Sequence, residues 1–167
     1  KKCDFSDIFF SSPRIHKGFQ CWEKTGGNLD KGDQEDLSAI MPHALIFSPN
    51  KREENILFSW VGMKSTSARV YGNDWVQQSI GKVSNESFGD ESQYHADRVT
   101  LGIAEVMKTR EPLFEHIRAR MHIENEEPFW VPYERLLTPY ILRDGSPIVV
   151  CDVNPTQHID VSLASGP

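Results

Sequence analysis

Phe129-Trp130-Val131-Pro132-Tyr133-Glu134-Arg135-Leu136-Leu137-Thr138-Pro139-Tyr140-Ile141-Leu142 leads through Asp144-Gly145 into Pro147-Ile148-Val149-Val150-Cys151-Asp152-Val153. Two runs rich in apolar and β-favouring residues around an Asp-Gly turn read as an antiparallel hairpin. A third such run, Leu113 to Ile123, precedes them. Residues 113–153 therefore predict a three-stranded meander that has to bury one face against something else. None of the three runs carries a catalytic motif.

Upstream the signals are shorter. Asp4 to Pro13 mixes aromatics with serines at no clean period and reads as a loose arm or a partner-contacting segment. Ile15, Phe19 and Trp22, spaced by four and three, share one face of a short helix that Gly26-Gly27 stops. Asn28 to Asp36 is polar and reads as a surface loop. Ala44 to Phe47, the turn Ser48-Pro49-Asn50-Lys51 and Ile56 to Met63 predict a second hairpin. Ser65 to Tyr71 and Asn73 to Ile80 suit two short helices with Ser or Asp caps. Val99, Ile103, Val106 and Met107 form one apolar stripe on a longer helix between Ser92 and Thr109, which Glu111-Pro112 ends. The order predicts an α+β chain: a single five-stranded antiparallel sheet with helices on one face. Residues 1–36 are then an N-terminal arm and opening helix, 37–163 the main domain and 164–167 a tail.

The run Tyr133-Glu134-Arg135-Leu136-Leu137-Thr138-Pro139, followed by Asp144-Gly145 and an apolar strand, resembles the terminal hairpin of a bacterial group of PAS sensory domains. Further blocks match that group in order. Trp22-Glu23-Lys24 and Ile40-Met41-Pro42-His43-Ala44-Leu45-Ile46-Phe47 look like its first helix and strand. Phe58-Ser59-Trp60-Val61-Gly62, Tyr71-Gly72-Asn73-Asp74 and Ile80-Gly81 look like its second strand and the helices after it. The resemblance runs from about His16 to Leu163. It implies a cavity under the helical face of the sheet, with a dimer made through the opposite face or the N-terminal helix. The signal would pass as a ligand-driven population shift.

Composition is compatible with this. A chain of 167 residues with 38% hydrophobic content is one domain with one core. A net charge of −6 opposes a nucleic acid or an anionic membrane as main partner. Cys3, Cys21 and Cys151 are widely spaced and odd in number, so neither a disulfide framework nor a metal knuckle is expected, and the cytoplasm is the favoured compartment. No apolar run is long enough to span a bilayer as a helix. The chain begins at Lys1 rather than Met, as a piece excised from a longer protein would.

Trp60, Tyr71, Trp75, Phe88, Trp130 and Tyr133 fall in the segments that would surround such a cavity, and aromatic walls suit a small organic ligand. They also suit a packed core. Met63 and Met107 would serve as adaptable lining. On the strand Leu113 to Ile123, Leu113, Ile117, Ala119, Met121 and Ile123 alternate with His116, Arg118, Arg120 and His122, which places the two sets on opposite faces. Glu115 breaks the apolar set: either an edge position keeps it wet or it is a buried carboxylate aimed at a ligand. The basic row reads as a solvated face, with an acidic partner or pairing to Glu134 and Asp152 as the other readings. His116 and His122 are about 20 Å apart along a strand, too far for one metal ion.

Nucleophile-elbow, phosphate-loop, metalloprotease and dinucleotide motifs are all missing. With no cysteine between Cys21 and Cys151, a flavin-cysteinyl photocycle is not expected. The reading is a non-catalytic sensory or regulatory domain that binds a small organic ligand, a protein partner or a second copy of itself, without a named cofactor. Two alternatives stand: a small cone-fold enzyme using His95 or Glu115 as general base on a hydrophobic substrate, and a structural dimerisation module without a cavity.

Overall fold

The computed structural model describes residues 1–31, 34–50, 55–84, 93–121, 127–157 and 159, with the backbone alone for residues 34 and 93–99. Among the described residues five strands form one antiparallel sheet: β1 (Leu45–Pro49), β2 (Ile56–Val61), β3 (Leu113–Met121), β4 (Phe129–Ile141) and β5 (Pro147–Pro155). Their spatial order is β2-β1-β5-β4-β3, so the hairpin β1–β2 lies against the last strand of the meander β3-β4-β5. Leu113 opposes Leu137 and Met121 opposes Phe129, while Ile141 opposes Pro147 across the Asp144-Gly145 turn. Gly145 has φ 81 there, and Ser146 donates its backbone N–H to Asp144 Oδ1 at 2.9 Å.

Among the described residues the sheet is accompanied by the helices α1 (Pro13–Thr25), α2 (Gln34–Ile40), α3 (Thr66–Ser79) and α4 (Gln93–Thr109). Ser12 caps α1 by accepting from the Ile15 N–H, and Gly26, at φ 60, ends it in the left-handed conformation. Ser65 caps α3 in the same way on Ala68. The two short helices expected there are present and meet within α3 at Gly72, whose φ 82 and ψ 175 are non-helical. That backbone conformation is open essentially to glycine alone.

Helices α3 and α4 supply the expected layer on one face, where Ala68, Val76, Ile103 and Val106 meet Leu45, Phe47, Phe58, Leu137 and Val149. The side chain of Val99 lies outside the described residues. The other face, one of the two surfaces expected to make a dimer, is covered by the chain's own N-terminal segment. Cys21 and Ile40 pack there with Ile46, Tyr140, Ile148 and Val150. Ile8 and Ile15 pack with Phe114 and Leu136. Accordingly β4 is buried at every position from Tyr133 to Tyr140. Two-sided cover removes the alternation that a half-wet strand shows.

Two local expectations change with this. Phe5–Phe10 is a 3₁₀ turn on the sheet, with Ile8 fully buried, rather than a loose arm. Residues 28–36, expected as a loop, contain the 3₁₀ turn Leu29–Lys31 and the start of α2, because Leu29, Leu37 and Ile40 pack on the Tyr140 cluster. Neither element is long enough to display a period. The segment also covers exposed strand edges. Cys3 N–H donates to Phe114 O at 2.9 Å along β3. Past Leu137, where β3 ends, Trp22 Nε1 donates to Pro139 O at 2.8 Å and the Ile141 N–H to Gly27 O at 2.8 Å.

Charge fastens the segment too. Arg14 Nε donates to Asp152 Oδ1 and Oδ2 at 3.0 and 3.2 Å, and its Nη2 to the Val153 carbonyl at 2.6 Å. Its Nη1 lies 3.0 Å from His43 Nδ1, which is also 3.1 Å from the Lys64 carbonyl; that nitrogen accepts from Arg14 in one neutral tautomer and donates to Lys64 O in the other. Burial, then the Arg14 charge, holds His43 below the ordinary imidazole range. Glu134 Oε2 accepts from the Ser12 N–H at 3.2 Å and Asn154 Nδ2 at 3.3 Å. The Asp152 carboxyl is 3% exposed, and burial pushes it up to about 6 despite Arg14.

Since the folded pKa of Asp152 lies above the ordinary carboxylate range, its contribution to stability is full in that lower range and is lost as pH rises through about 6. In Asp152→Asn this loss is absent. The melting temperature of the variant relative to wild type is expected to climb between pH 4 and pH 7; an offset constant with pH would contradict the assignment. A second test concerns Gly102 on α4, where an added Cβ would sit 2.7 Å from Arg135 Nη2. Gly102→Ala gains about 1 kcal/mol of helix propensity but overpacks a pinned guanidinium at a cost of about 1–3 kcal/mol. Urea unfolding should give a net loss of about 1 kcal/mol, and a stabilised variant would show that Arg135 moves aside freely.

Candidate functional site

Between the first half of α3 and the sheet lies a cavity of about 30 Å³, lined among others by Thr66, Val70, Tyr71, Met121, Tyr133, Arg135, Cys151 and Val153. Each strand contributes by parity: Tyr133 and Arg135 from β4, Cys151 and Val153 from β5, and Met121 from β3. Tyr71 closes the space, its hydroxyl 3.6 Å from Met121 Sδ and its ring tilted against Trp75 at 5.1 Å. Trp75 meets Phe58 edge-on at 5.8 Å. Such a volume holds a water molecule or two. Organic ligands fill roughly 300–1,000 Å³, so the cavity in this conformation is closed to them.

Its floor is ionic. Arg135 is 2% exposed and donates through Nε to Glu115 Oε2 at 3.0 Å, with a second bond from Nη2 to the same oxygen. The pair sits at register partners Glu115 and Arg135 of β3 and β4. A buried guanidinium without such a partner would cost several kcal/mol. Burial pushes the Tyr133 hydroxyl well above the ordinary phenol range, with Arg135 opposing. It also pushes the Cys151 thiol up to about 12, which leaves the sulfur protonated and unreactive.

The expected site residues divide between the faces. Tyr71 and Tyr133 line the cavity, and Glu115 stands behind Arg135. Trp75 and Met107 pack against the same core without reaching the space. Met63 is exposed in the turn after β2. Trp130 is half exposed at the far end of β4, with the Arg118 guanidinium 5.5 Å over its ring. Phe88 lies outside the described residues.

Trp60 faces the other way. Ile46 opposes Trp60 but the next residue, Phe47, opposes Phe58, so Ser59 is an extra residue and the strand bulges. Strict alternation from the buried Phe58 would have sent Trp60 toward α3. The bulge instead turns it to the N-terminal face, where its Nε1 donates to Met41 O at 3.2 Å.

Arg135, Thr66 and Cys151 were not singled out from the sequence. Arg135 was legible in principle, since it shares parity with Tyr133, but an Arg in a strand is ordinarily solvated. Among the described residues of the basic row, none has a contact to Asp152, whose ion pair is with Arg14. His116 opposes Glu134 in register and packs edge-on against Phe114 at 5.4 Å. Arg118 and Arg120 are exposed. Of the histidines considered as ligands or bases, the side chains of His95, His122 and His158 lie outside the described residues. Among the described residues no three His, Cys, Asp or Glu side chains gather as a metal site would need, and no helix is long and apolar enough to cross a membrane.

No family model matches the chain, and no curated protein is similar enough to count as a relative. Among solved structures it is similar to the crystal structure of the Vibrio cholera VqmA–ligand–DNA complex, at a TM-score of 0.52 and 11% identity. The match covers 74% of this chain and 50% of that one, so the chain spans about half the length of that protein. At this identity the likeness is one of fold. Because that complex contains DNA, the expectation of no nucleic-acid partner draws no support from it. The chain is thus an α+β domain with a single five-stranded antiparallel sheet, a fold it shares with a protein solved around a ligand.

Proposed function

We propose that this chain is a sensory or regulatory domain of PAS type that performs no chemistry itself. It takes up a small organic molecule, a protein partner or both, and passes the event on as a rearrangement of its N-terminal segment. The observation that carries this reading is the carbonyl of Val153. It accepts from Thr66 Oγ1 of α3 at 3.0 Å and from Arg14 Nη2 of α1 at 2.6 Å. Thr66 lines the cavity under α3, and Arg14 fastens the segment on the opposite face.

A ligand larger than water enters by displacing Thr66–Tyr71, for which the break at Gly72 supplies a hinge. The displacement removes one donor from Val153 and alters the hold of the same carbonyl on Arg14. The enzyme alternative loses support at Glu115, whose carboxylate is engaged by two guanidinium N–H groups and is poorly placed to take a proton. Reduced, separate cysteines fit a bacterial cytoplasm. With its net charge of −6 this domain is proposed to leave any nucleic-acid contact to other surfaces.

Phe9 and Phe10, 70% and 90% exposed beside the start of α1, are proposed as the contact with a second copy. Sedimentation velocity at micromolar concentration should show a dimer that Phe10→Ser converts to monomer; a wild-type monomer would contradict the contact. Native mass spectrometry of the protein as purified should reveal a bound small molecule that is lost on denaturation. Its absence from monomer and dimer peaks alike would overturn the small-molecule part of the proposal.

A further inference from the structure

A second concavity, of about 480 Å³, opens on the N-terminal face between the β1–β2 hairpin and the Asp144-Gly145 turn. That volume falls within the range of small-molecule sites, roughly 300–1,000 Å³, and the sheet separates it from the cavity under α3. Its apolar walls are Met41, Ile46, Leu142 and Ile148, with the Trp60 ring at one side. The bulge at Ser59 directs Trp60 here, and the bond from its Nε1 to Met41 O fixes the indole edge. The ring is consequently held 44% exposed instead of folding onto the core. Ser48 and Ser59 stand beside it with hydroxyl oxygens 2.6 Å apart.

We propose that this concavity binds a planar aromatic molecule of one or two rings, neutral or cationic, stacked on Trp60. An indole face held in place offers stacking without an entropic cost of ordering the ring. Met41 adapts to the ligand outline. The serine hydroxyls donate or accept toward a polar substituent. Among the described residues lining the space, Asp144 is the charged one, so the local field favours a cation and disfavours a carboxylate. The site is independent of the one proposed under α3.

The test is an amide and indole N–H NMR titration of the whole chain with tryptamine, indole and indole-3-acetate. Saturable shifts are expected at Trp60 Nε1–H, Ile46, Leu142 and Ile148, with tryptamine bound more tightly than indole-3-acetate. Trp60→Ala, and separately Ser59→Phe, which fills the space from an exposed position, should each weaken tryptamine binding at least tenfold. Leu101→Ser, at an exposed position of α4 on the other face, should bind as wild type does. Absence of saturation for all three probes, shifts centred on Tyr71 and Tyr133, or equal affinity for tryptamine and indole-3-acetate would overturn the proposal.

Discussion

Two-sided burial of the sheet sets the terms for everything else in this molecule. Strands β4 and β5 carry Glu134, Arg135 and Asp152 into that burial, all under a tenth exposed. A buried charge is tolerated when partnered and strongly destabilising when left alone. Each therefore has a defined partner: Arg135 with Glu115 on the α3–α4 face, Asp152 with Arg14 on the other, and Glu134 with the Ser12 N–H and Asn154. Apolar packing of Ile8, Ile15, Cys21 and Ile40 supplies the area of the N-terminal cover. The polar contacts fix where that cover sits.

The sequence made some of this legible and hid the rest for physical reasons. Long signals survived: the Asp-Gly hairpin, the Ile15-Phe19-Trp22 stripe with its glycine stop, and the Ile103-Val106 face of α4 are all found where the residues place them. Short elements did not, because six or seven residues show no period; Phe5–Phe10 and Gln34–Ile40 become ordered through tertiary contacts. Leu136 and Leu137, adjacent and both buried, show the two-sided cover of β4 that the expectation of one buried face passes over.

The site was harder to read. A one-residue bulge reverses the face of every side chain beyond it, which is why Trp60 parts from Tyr71. Charged residues were discounted as solvated, which passed over Arg135. Glu115 is mostly buried and neutralises the guanidinium opposite it. Tyr71 and Tyr133 line the cavity because one adjoins the break at Gly72 and the other holds an inward-facing parity position of β4.

The two faces meet at the Val153 carbonyl. A neutral hydrogen bond contributes about 0.5–1.5 kcal/mol and one to a charged group about 1.5–3. Changing one donor at this oxygen is therefore on the scale of a few-fold shift in a conformational equilibrium, which a ligand exploits only through different affinities for the two states. The most direct measurement is hydrogen exchange by mass spectrometry on wild type and Thr66→Val, a near-isosteric change that deletes the donor on α3. The account predicts altered exchange across Pro13–Thr25, reached through the shared Val153 carbonyl, with protection of β4 and β5 kept. Changes confined to α3 would mean that the faces are uncoupled and would contradict it.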